Sequence, residues 1–506
     1  MENFLTKTSR VVVCLIILVT LGTPLRIVAG AGAQGTAKLE RSPLSGGVLM
    51  ARAIRAGRVT LPARGYSPTI PKSLTCSPAP CVLPNVDAAE GGTNPVNEDP
   101  IATNPNNIRQ FISGGNDYNC SSLQGFFATL DGGTTFHRNC LGVLTGMTGA
   151  GDPGVGYDTD GHVYVSGIDC SNASCSTTAQ IVLAKSTDGG VTFPVPHTAV
   201  KSTFSGGFTD KDWMEIDANP SSPFKNTIYI SITDFSATGN SQITVSHSTN
   251  GGATFVTKKV GMAAFSPAVN QFSDLAIGRD GTVYVSYINC PGTGPTGNCG
   301  GTRTKILVSK STDGGNTWSV PLTAATVTLA PDSCGAYYGC LPNTSERLSN
   351  IPVIAVDNSS TTSAGKVYVA FYNFTTFASI RVVSSIDGGL TWSSQIHVSP
   401  AAIHDQFFPW INLSSGGIVG VTFLDRRNDP ANVNYQAFAA LSKNGGTSYM
   451  NKRISTATSN PNNDGFSGNF MGDYTGNSWS GKNLYGSWMD TRSGVSQDEV
   501  GGFELP

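Results

Sequence analysis

Charge is scarce in this chain: 13% of its 506 residues are Asp, Glu, Lys or Arg, and the formal net charge is -2. So few basic residues leave no electrostatic footprint for a nucleic-acid backbone. Histidine is rarer still, and His137, His197, His247 and His397 are too scattered to suggest a shared site. Long stretches of helical periodicity are few, so helices do not form the framework. Only one apolar run stands out, Val11 to Leu21, preceded by Lys7 and Arg10 and followed by the small residues Ala29-Gly-Ala31-Gly-Ala33. That layout predicts a signal peptide over residues 1–33, with an uncleaved anchor as the alternative. Without a second such run, the mature chain is expected to be soluble, secreted and free of stable membrane insertion.

What the sequence has in quantity is glycine (59) and proline (28), together with abundant Ser, Thr and Asn, a composition suited to many short strands joined by turns. One turn string recurs six times: Thr129-Leu-Asp131-Gly-Gly-Thr-Thr-Phe136, Ser186-Thr-Asp188-Gly-Gly-Val-Thr-Phe193, Ser248-Thr-Asn250-Gly-Gly-Ala-Thr-Phe255, Ser311-Thr-Asp313-Gly-Gly-Asn-Thr-Trp318, Ser385-Ile-Asp387-Gly-Gly-Leu-Thr-Trp392 and Ser442-Lys-Asn444-Gly-Gly-Thr-Ser-Tyr449. Spacings of 57 to 74 residues make each copy part of one supersecondary unit. Asp or Asn can bind backbone amides just ahead, and the glycines supply positive φ without steric cost. Around each turn the sequence repeats a plan: a first strand with a polar opening, an alternating second strand such as Val283-Tyr-Val-Ser286, a third leading into the turn and a fourth leaving it.

The repeated turn resembles the Asp-box, or bacterial neuraminidase repeat, of sialidase-like β-propellers, and the resemblance runs from about Glu98 to the C-terminus. It implies an all-β propeller of four-stranded antiparallel blades. First-strand openings near Asp99, Asp152, Asp212, Asp274, Arg347, Asp405 and Asp473 count seven blades, with six as the alternative because catalytic sialidases resemble a six-bladed ring. The last unit has no Asp-box and three strands, so Cys81-Val-Leu-Pro-Asn-Val-Asp87 is the natural donor of a closing strand. The domains expected are therefore the signal peptide, a partly disordered Pro/Gly/Ala-rich leader at 34–95 and one propeller at 96–506.

Ten cysteines follow the signal region. In chain order they form five local pairs, Cys76/Cys81, Cys120/Cys140, Cys170/Cys175, Cys290/Cys299 and Cys334/Cys340, although sequence leaves connectivity open. Pairwise clustering suits disulfides in an oxidising compartment better than a metal site.

In a propeller the Asp-box turns lie on one face, which makes their aspartates structural. Starts of first strands and ends of second strands meet on the other, around the channel. There the chain places Asp152, Asp212, Asp274, Asp405 and Asp473, with Tyr474, Arg347, Arg426, Arg427 and Arg492. The resemblance implies a glycan or glycoconjugate partner and exo-α-sialidase or related glycoside hydrolase activity. It would make Tyr474 the nucleophile beside Asp473, with Asp152 or Asp212 as general acid. Arg347, Arg426 or Arg427, and Arg492 would hold a substrate carboxylate in bidentate geometry, and Asp274 and Asp405 would line the subsite. The chain departs from that pattern at the Phe/Tyr-Arg-Ile-Pro motif, where Ser349-Asn-Ile-Pro352 has Asn350 in place of the arginine. A non-catalytic carbohydrate- or protein-binding propeller is the alternative. No cofactor is expected. Ca2+ suits the aspartate-rich mouth by ligand type, but no compact Asp-x-Asp-x-Asp-Gly loop is present.

Overall fold

A computed structural model of the chain describes residues 39–67, 73–399 and 403–506. The expected signal peptide lies outside the described residues. Ala37–Pro506 forms one compact unit, and it is almost entirely antiparallel β-sheet.

The strands follow the repeat. Ile101–Thr103, Phe111–Asp117, Gly125–Thr129 and His137–Cys140 pair in that order, and Val96–Asn97 extends the far end of the second strand. Two further meanders, Thr148–Tyr157 to His197–Lys201 and Phe208–Ile216 to Val256–Ala264, are counted as one eight-stranded sheet because Phe208 pairs with Ala179. Four-stranded sheets follow from Val269–Ile277 to Leu322–Thr328, from Val353–Val356 to Ile396–His397, and from Gln406–Leu413 to Met450–Arg453. The last sheet takes Gly476–Ser480, Asn483–Asp490 and Gln497–Glu504, and its fourth strand is Cys81–Asp87 from the other end of the unit.

Each first strand packs on the first strand of the next sheet, and Gly476–Ser480 packs back on Ile101–Thr103, so the sheets close around an axis. That is the layout of a β-propeller, in which neighbouring sheets cover one another's apolar faces. The second strands show why the sequence folds this way. Val163–Cys170, Ile228–Phe235 and Val419–Asp425 are buried along their whole length, because both of their faces are covered.

The six repeated turns share one geometry. In the fourth, the Ser311 hydroxyl donates to Asp313 (2.7 Å) and accepts the Gly315 amide (2.9 Å), while Thr317 donates its amide (2.9 Å) and hydroxyl (2.6 Å) to the two Asp313 oxygens. Gly314 and Gly315 sit at φ 73° and 90°, a region closed to side chains without strain. The five disulfides are the five sequential pairs.

Three features differ from the sequence reading, the first being that the strand expected to open near Arg347 begins only at Val353. The last first strand, expected to open near Asp473, begins at Gly476. Residues 473–475 instead make cross-sheet bonds, the Asp473 amide to Glu98 and the Thr475 hydroxyl to the Phe408 carbonyl, which take them out of the ladder. In the leader, Gly46–Arg55 forms a helix capped by Ser45, and Val48, Leu49, Met50, Ala51 and Ala53 are buried.

Candidate functional site at the channel mouth

The first strands carry a repeated irregularity where they begin. Their pairing slips between Gly151 and Gly154, Asp210 and Trp213, Gln271 and Asp274, and Phe407 and Trp410. Inside these bulges Asp152, Lys211, Phe272 and Phe408 adopt φ of 53°, 47°, 61° and 48°, and Glu98 stands at 63° in the approach to its own sheet. Positive φ at non-glycine residues costs of order 1–3 kcal/mol each and persists only where the surrounding structure over-determines the backbone. A bulge re-aims side chains, and in two of the four the residue turned inward is charged, Asp152 and Lys211, while the other two carry Phe272 and Phe408.

The groups so placed form one buried network. Arg347 Nε pairs with Asp473 Oδ1 at 2.8 Å. The Asp473 amide donates to Glu98 Oε1 (3.1 Å), Asn116 Nδ2 to Glu98 Oε2 (2.8 Å), and the Asp152 amide to Asn116 Oδ1 (2.7 Å). Ser166 Oγ donates to Asp212 Oδ2 at 2.6 Å, and Gln271 Nε2 to Asp210 Oδ2 at 2.6 Å. Among the described residues no amide, hydroxyl or cationic donor reaches either carboxylate oxygen of Asp152, which leaves Glu98, when protonated, as its side-chain hydrogen-bond partner. Burial pushes Asp210 and Asp212 up to about 7, and it raises Glu98 far above the usual carboxylate range with Asp152 as its next cause. Asp473 is also raised by burial, against the opposing pull of Arg347.

Directly beneath lies an aromatic layer. The rings of Trp213 and Trp410, on two first strands, and of Tyr474, just before a third, stand 4.5 to 6.0 Å apart, and Lys211 Nζ sits 4.1 Å over the Tyr474 ring. Tyr474 donates its hydroxyl to the Pro153 carbonyl (3.1 Å), and burial holds it protonated, far above its ordinary range. Below this layer the channel opens into a cavity of about 210 Å³ lined by Trp213, Glu215, Asp274, Trp410 and Asn477.

Of the residues singled out in the sequence, Asp152, Asp212, Asp473, Tyr474 and Arg347 therefore come together. Asp274 lies deeper, accepting the Ile354 amide (2.7 Å), and burial raises it to about 7. Asp405 binds the Ala378 amide and pairs with Arg426 at 3.6 Å. Arg427 is held by Asp425 (2.5 Å) and stacks over Phe438, and Arg492 is held by Asp490 (2.8 Å) and Glu499 (3.4 Å). Sequence reasoning missed Glu98, Asp210, Lys211 and Gln271. The Asp210-Lys-Asp212 string was their available signal, since strict alternation would send Lys211 to the opposite side from its neighbours, and only the bulge brings all three inward.

Two clusters among the described residues have metal-ligand spacing, and both are otherwise engaged. Cys76 and Cys81 form a disulfide, and Asp158 already accepts from Asp160, His162 and Tyr164 in a hairpin turn.

Scanned against protein-family models and against curated proteins, the chain matches none. Solved structures do resemble it. A polysaccharide lyase of the PL25 ulvan lyase family, bound to a GlcA(1-4)Rha3S unit, superposes with a TM-score of 0.51 at 11% identity, covering 81% of this chain and 94% of that one. The α-L-arabinofuranosidase Arb93A from Fusarium graminearum gives 0.42 at 13% identity over 70% and 92%, and a Hadza microbial sialidase 0.43 at 15% over 65% and 63%. At these identities the likeness is one of fold.

Proposed function

We propose that the chain is a secreted seven-bladed propeller that binds and processes a glycan at its channel mouth. The observation carrying this reading is the convergence of Asp152, Asp210, Lys211 and Asp212, on strained first-strand bulges, with Arg347, Asp473 and Tyr474, which precede their own first strands. An acid near pH 7 gives up and recovers protons at the operating pH, which is what protonation of a glycosidic oxygen requires. Asp212, held near 7, takes the general-acid role, and Asp152 supplies the second carboxylate. Asp473 orients Arg347, and Tyr474 with Lys211 forms the floor. The solved ulvan lyase acts on a polysaccharide, and this chain shares its fold. Five disulfides fit export to an oxidising compartment.

Exo-α-sialidase activity is the narrower form of this reading and asks for several guanidinium groups on one substrate carboxylate. Arg426, Arg427 and Arg492 each hold an acid of their own, so the geometry favours a sugar recognised through its hydroxyls. A non-catalytic binding propeller is the second reading. It is favoured by Tyr474, whose hydroxyl is committed to the Pro153 carbonyl and raised rather than activated.

The test is a panel of fluorogenic glycosides, sialosides included, against the wild type and Asp212→Asn, each assayed intact and after cleavage of the folded chain near residues 62–64. Turnover reduced by about 100-fold or more in the variant, with binding retained, is expected from loss of a general acid. Turnover equal in both would sink the catalytic assignment, and binding without turnover would leave the second reading.

A further inference from the structure

The mouth is not open. Residues of the leader lie across it, and their bonds reach into the network described above. Ser45 donates its amide (2.9 Å) and hydroxyl (2.8 Å) to the two oxygens of Asp210. Gly46 donates its amide to Asp473 Oδ2 at 2.8 Å. In the opposite sense the Leu44 carbonyl accepts from Arg347 Nη1 (3.3 Å), and the Pro43 carbonyl accepts from Gln271 Nε2 (3.0 Å) and the Tyr338 hydroxyl (2.8 Å).

Glycine is what permits this approach. A Cβ at Gly46 would overlap the Phe470 ring, and one at Gly47 would stand 2.9 Å from Asn116 Nδ2 and 3.0 Å from Asp152 Oδ1. The flanks of the segment are gripped by loops that disulfides stiffen. Arg41 Nε donates to the Gly335 carbonyl (3.1 Å), inside the Cys334–Cys340 loop, and Arg52 Nε donates to the Cys175 carbonyl (2.7 Å). Downstream, Arg58 and Arg64 are exposed.

We infer that Pro43–Gly46 is a surrogate ligand, that the subsite it fills takes a neutral polyhydroxylated molecule such as a sugar unit, and that the segment 39–58 is a displaceable plug holding the protein latent. The pattern of the contacts identifies the ligand class. The acids receive uncharged N–H and O–H donors, and the cationic and amide donors receive carbonyl oxygens. A sugar ring offers both roles from its hydroxyl and ring oxygens, whereas a carboxylated sugar would bring a charge against Asp210 and Asp473. This rests on the glycan reading only for the identity of the ligand. The occlusion stands on the contacts themselves.

The experiment uses the full chain with a protease site placed at residues 62–64 and cut after folding, so the plug is present while the sheets assemble. A fluorescent peptide of residues 39–58 is then titrated onto the cut protein after exhaustive dialysis, and a glycan array of neutral and anionic oligosaccharides is read on intact and cut samples. The peptide is expected to rebind, its Gly46→Leu version is not, and neutral oligosaccharides should bind the cut form at least about tenfold better and displace the peptide, since a site open only a small fraction of the time loses affinity by that fraction. A second route is full-length Gly46→Leu, which should bind like the cut form. Equal glycan binding by intact and cut protein would overturn the plug, as would failure of the peptide to rebind. Peptide rebinding with no glycan bound by either form would uphold the plug and remove the glycan reading. Preferential capture of anionic oligosaccharides would overturn the neutral-ligand assignment.

Discussion

Asp313, in a repeated turn, and Asp210, at the channel mouth, are both fixed by hydroxyl and amide donors, yet they end at opposite ends of the carboxylate range. Asp313 accepts from Thr317, Ser311 and Asn316 in the open, and those bonds, the Thr317 hydroxyl first, hold it at about 2. Asp210 accepts from Ser45 and Gln271, and burial still pushes it up to about 7. Donors alone do not set protonation; desolvation outweighs them where water is excluded. On one face the aspartate is a staple that never needs a proton. On the other, burial raises the aspartate into the neutral range, and part of what excludes water from it is the segment around Ser45.

The largest test of this contrast removes the closing strand. Deleting residues 74–87 leaves Gln497–Glu504 with an unpaired edge and takes away Leu83 and Val86 from the apolar contacts of the first and last sheets. The product should be aggregated or unfolded by size-exclusion chromatography and circular dichroism. A monomer melting as cooperatively as the full chain would mean that closure does not hold the two faces in place.

Next in size is the mouth pair. Arg347→Met leaves Asp473 buried without its cation, which costs about 3–5 kcal/mol where a buried pair loses one partner. The double variant Arg347→Met/Asp473→Asn should recover much of that loss in chemical denaturation. A single variant as stable as the wild type would show that Asp473 already carries its own proton and that the pair is not an ion pair.

The contrast also predicts a pH dependence. Asp210, Asp212 and Asp274 stand near 7 and Glu215 near 8, all above their ordinary values chiefly through burial. The folded protein therefore binds more protons than the unfolded chain between about pH 4 and pH 8. Their stabilising contribution is complete below the ordinary carboxylate range and is lost as pH rises through 7 to 8. The apparent melting temperature should fall by several degrees from pH 5 to pH 8, and less steeply once the plug is cut away and water reaches Asp210. A flat or rising profile would break the argument that the mouth is dry.

How much of this was legible beforehand follows from what repeats. The turn string marks its own geometry because every bond in it is local, within about four residues. The second strands announce themselves through alternation, as Val283-Tyr-Val-Ser286 does inside Val283–Cys290. The five cysteine pairs were readable because each closes a short loop. What repetition could not carry was the bulge in four of the first strands. Its sequences differ, Gly-Asp-Pro-Gly in one and Asp-Lys-Asp-Trp in another, so no common string marks it. Thus Lys211 and Asp210 went unseen although Asp212 was found. The helix at Gly46–Arg55 was hidden by its surroundings of glycine, proline and arginine. Its one local signal was Ser45 followed by an apolar run that stops at Gly57.

The smallest effect belongs to the turn face, and it separates the two kinds of aspartate most cleanly. Asp313→Asn keeps a side-chain oxygen for the Thr317 and Ser311 donors, and Asn already stands at the same place in the turns at Asn250 and Asn444, where it makes the equivalent bonds to Thr254 and Ser448. The variant should melt within about 1–2 °C of the wild type, as surface substitutions that keep their contacts do. Asp313→Ala removes the acceptor and should cost more, since the Thr317 and Asn316 amides must then turn to water. Neither change should alter the pH profile between 5 and 8, because Asp313 holds no proton anywhere in that range, whereas Asp210→Asn at the mouth should flatten it. If the turn variant shifted that profile as much as the mouth variant, the proton-carrying role could not be assigned to one face.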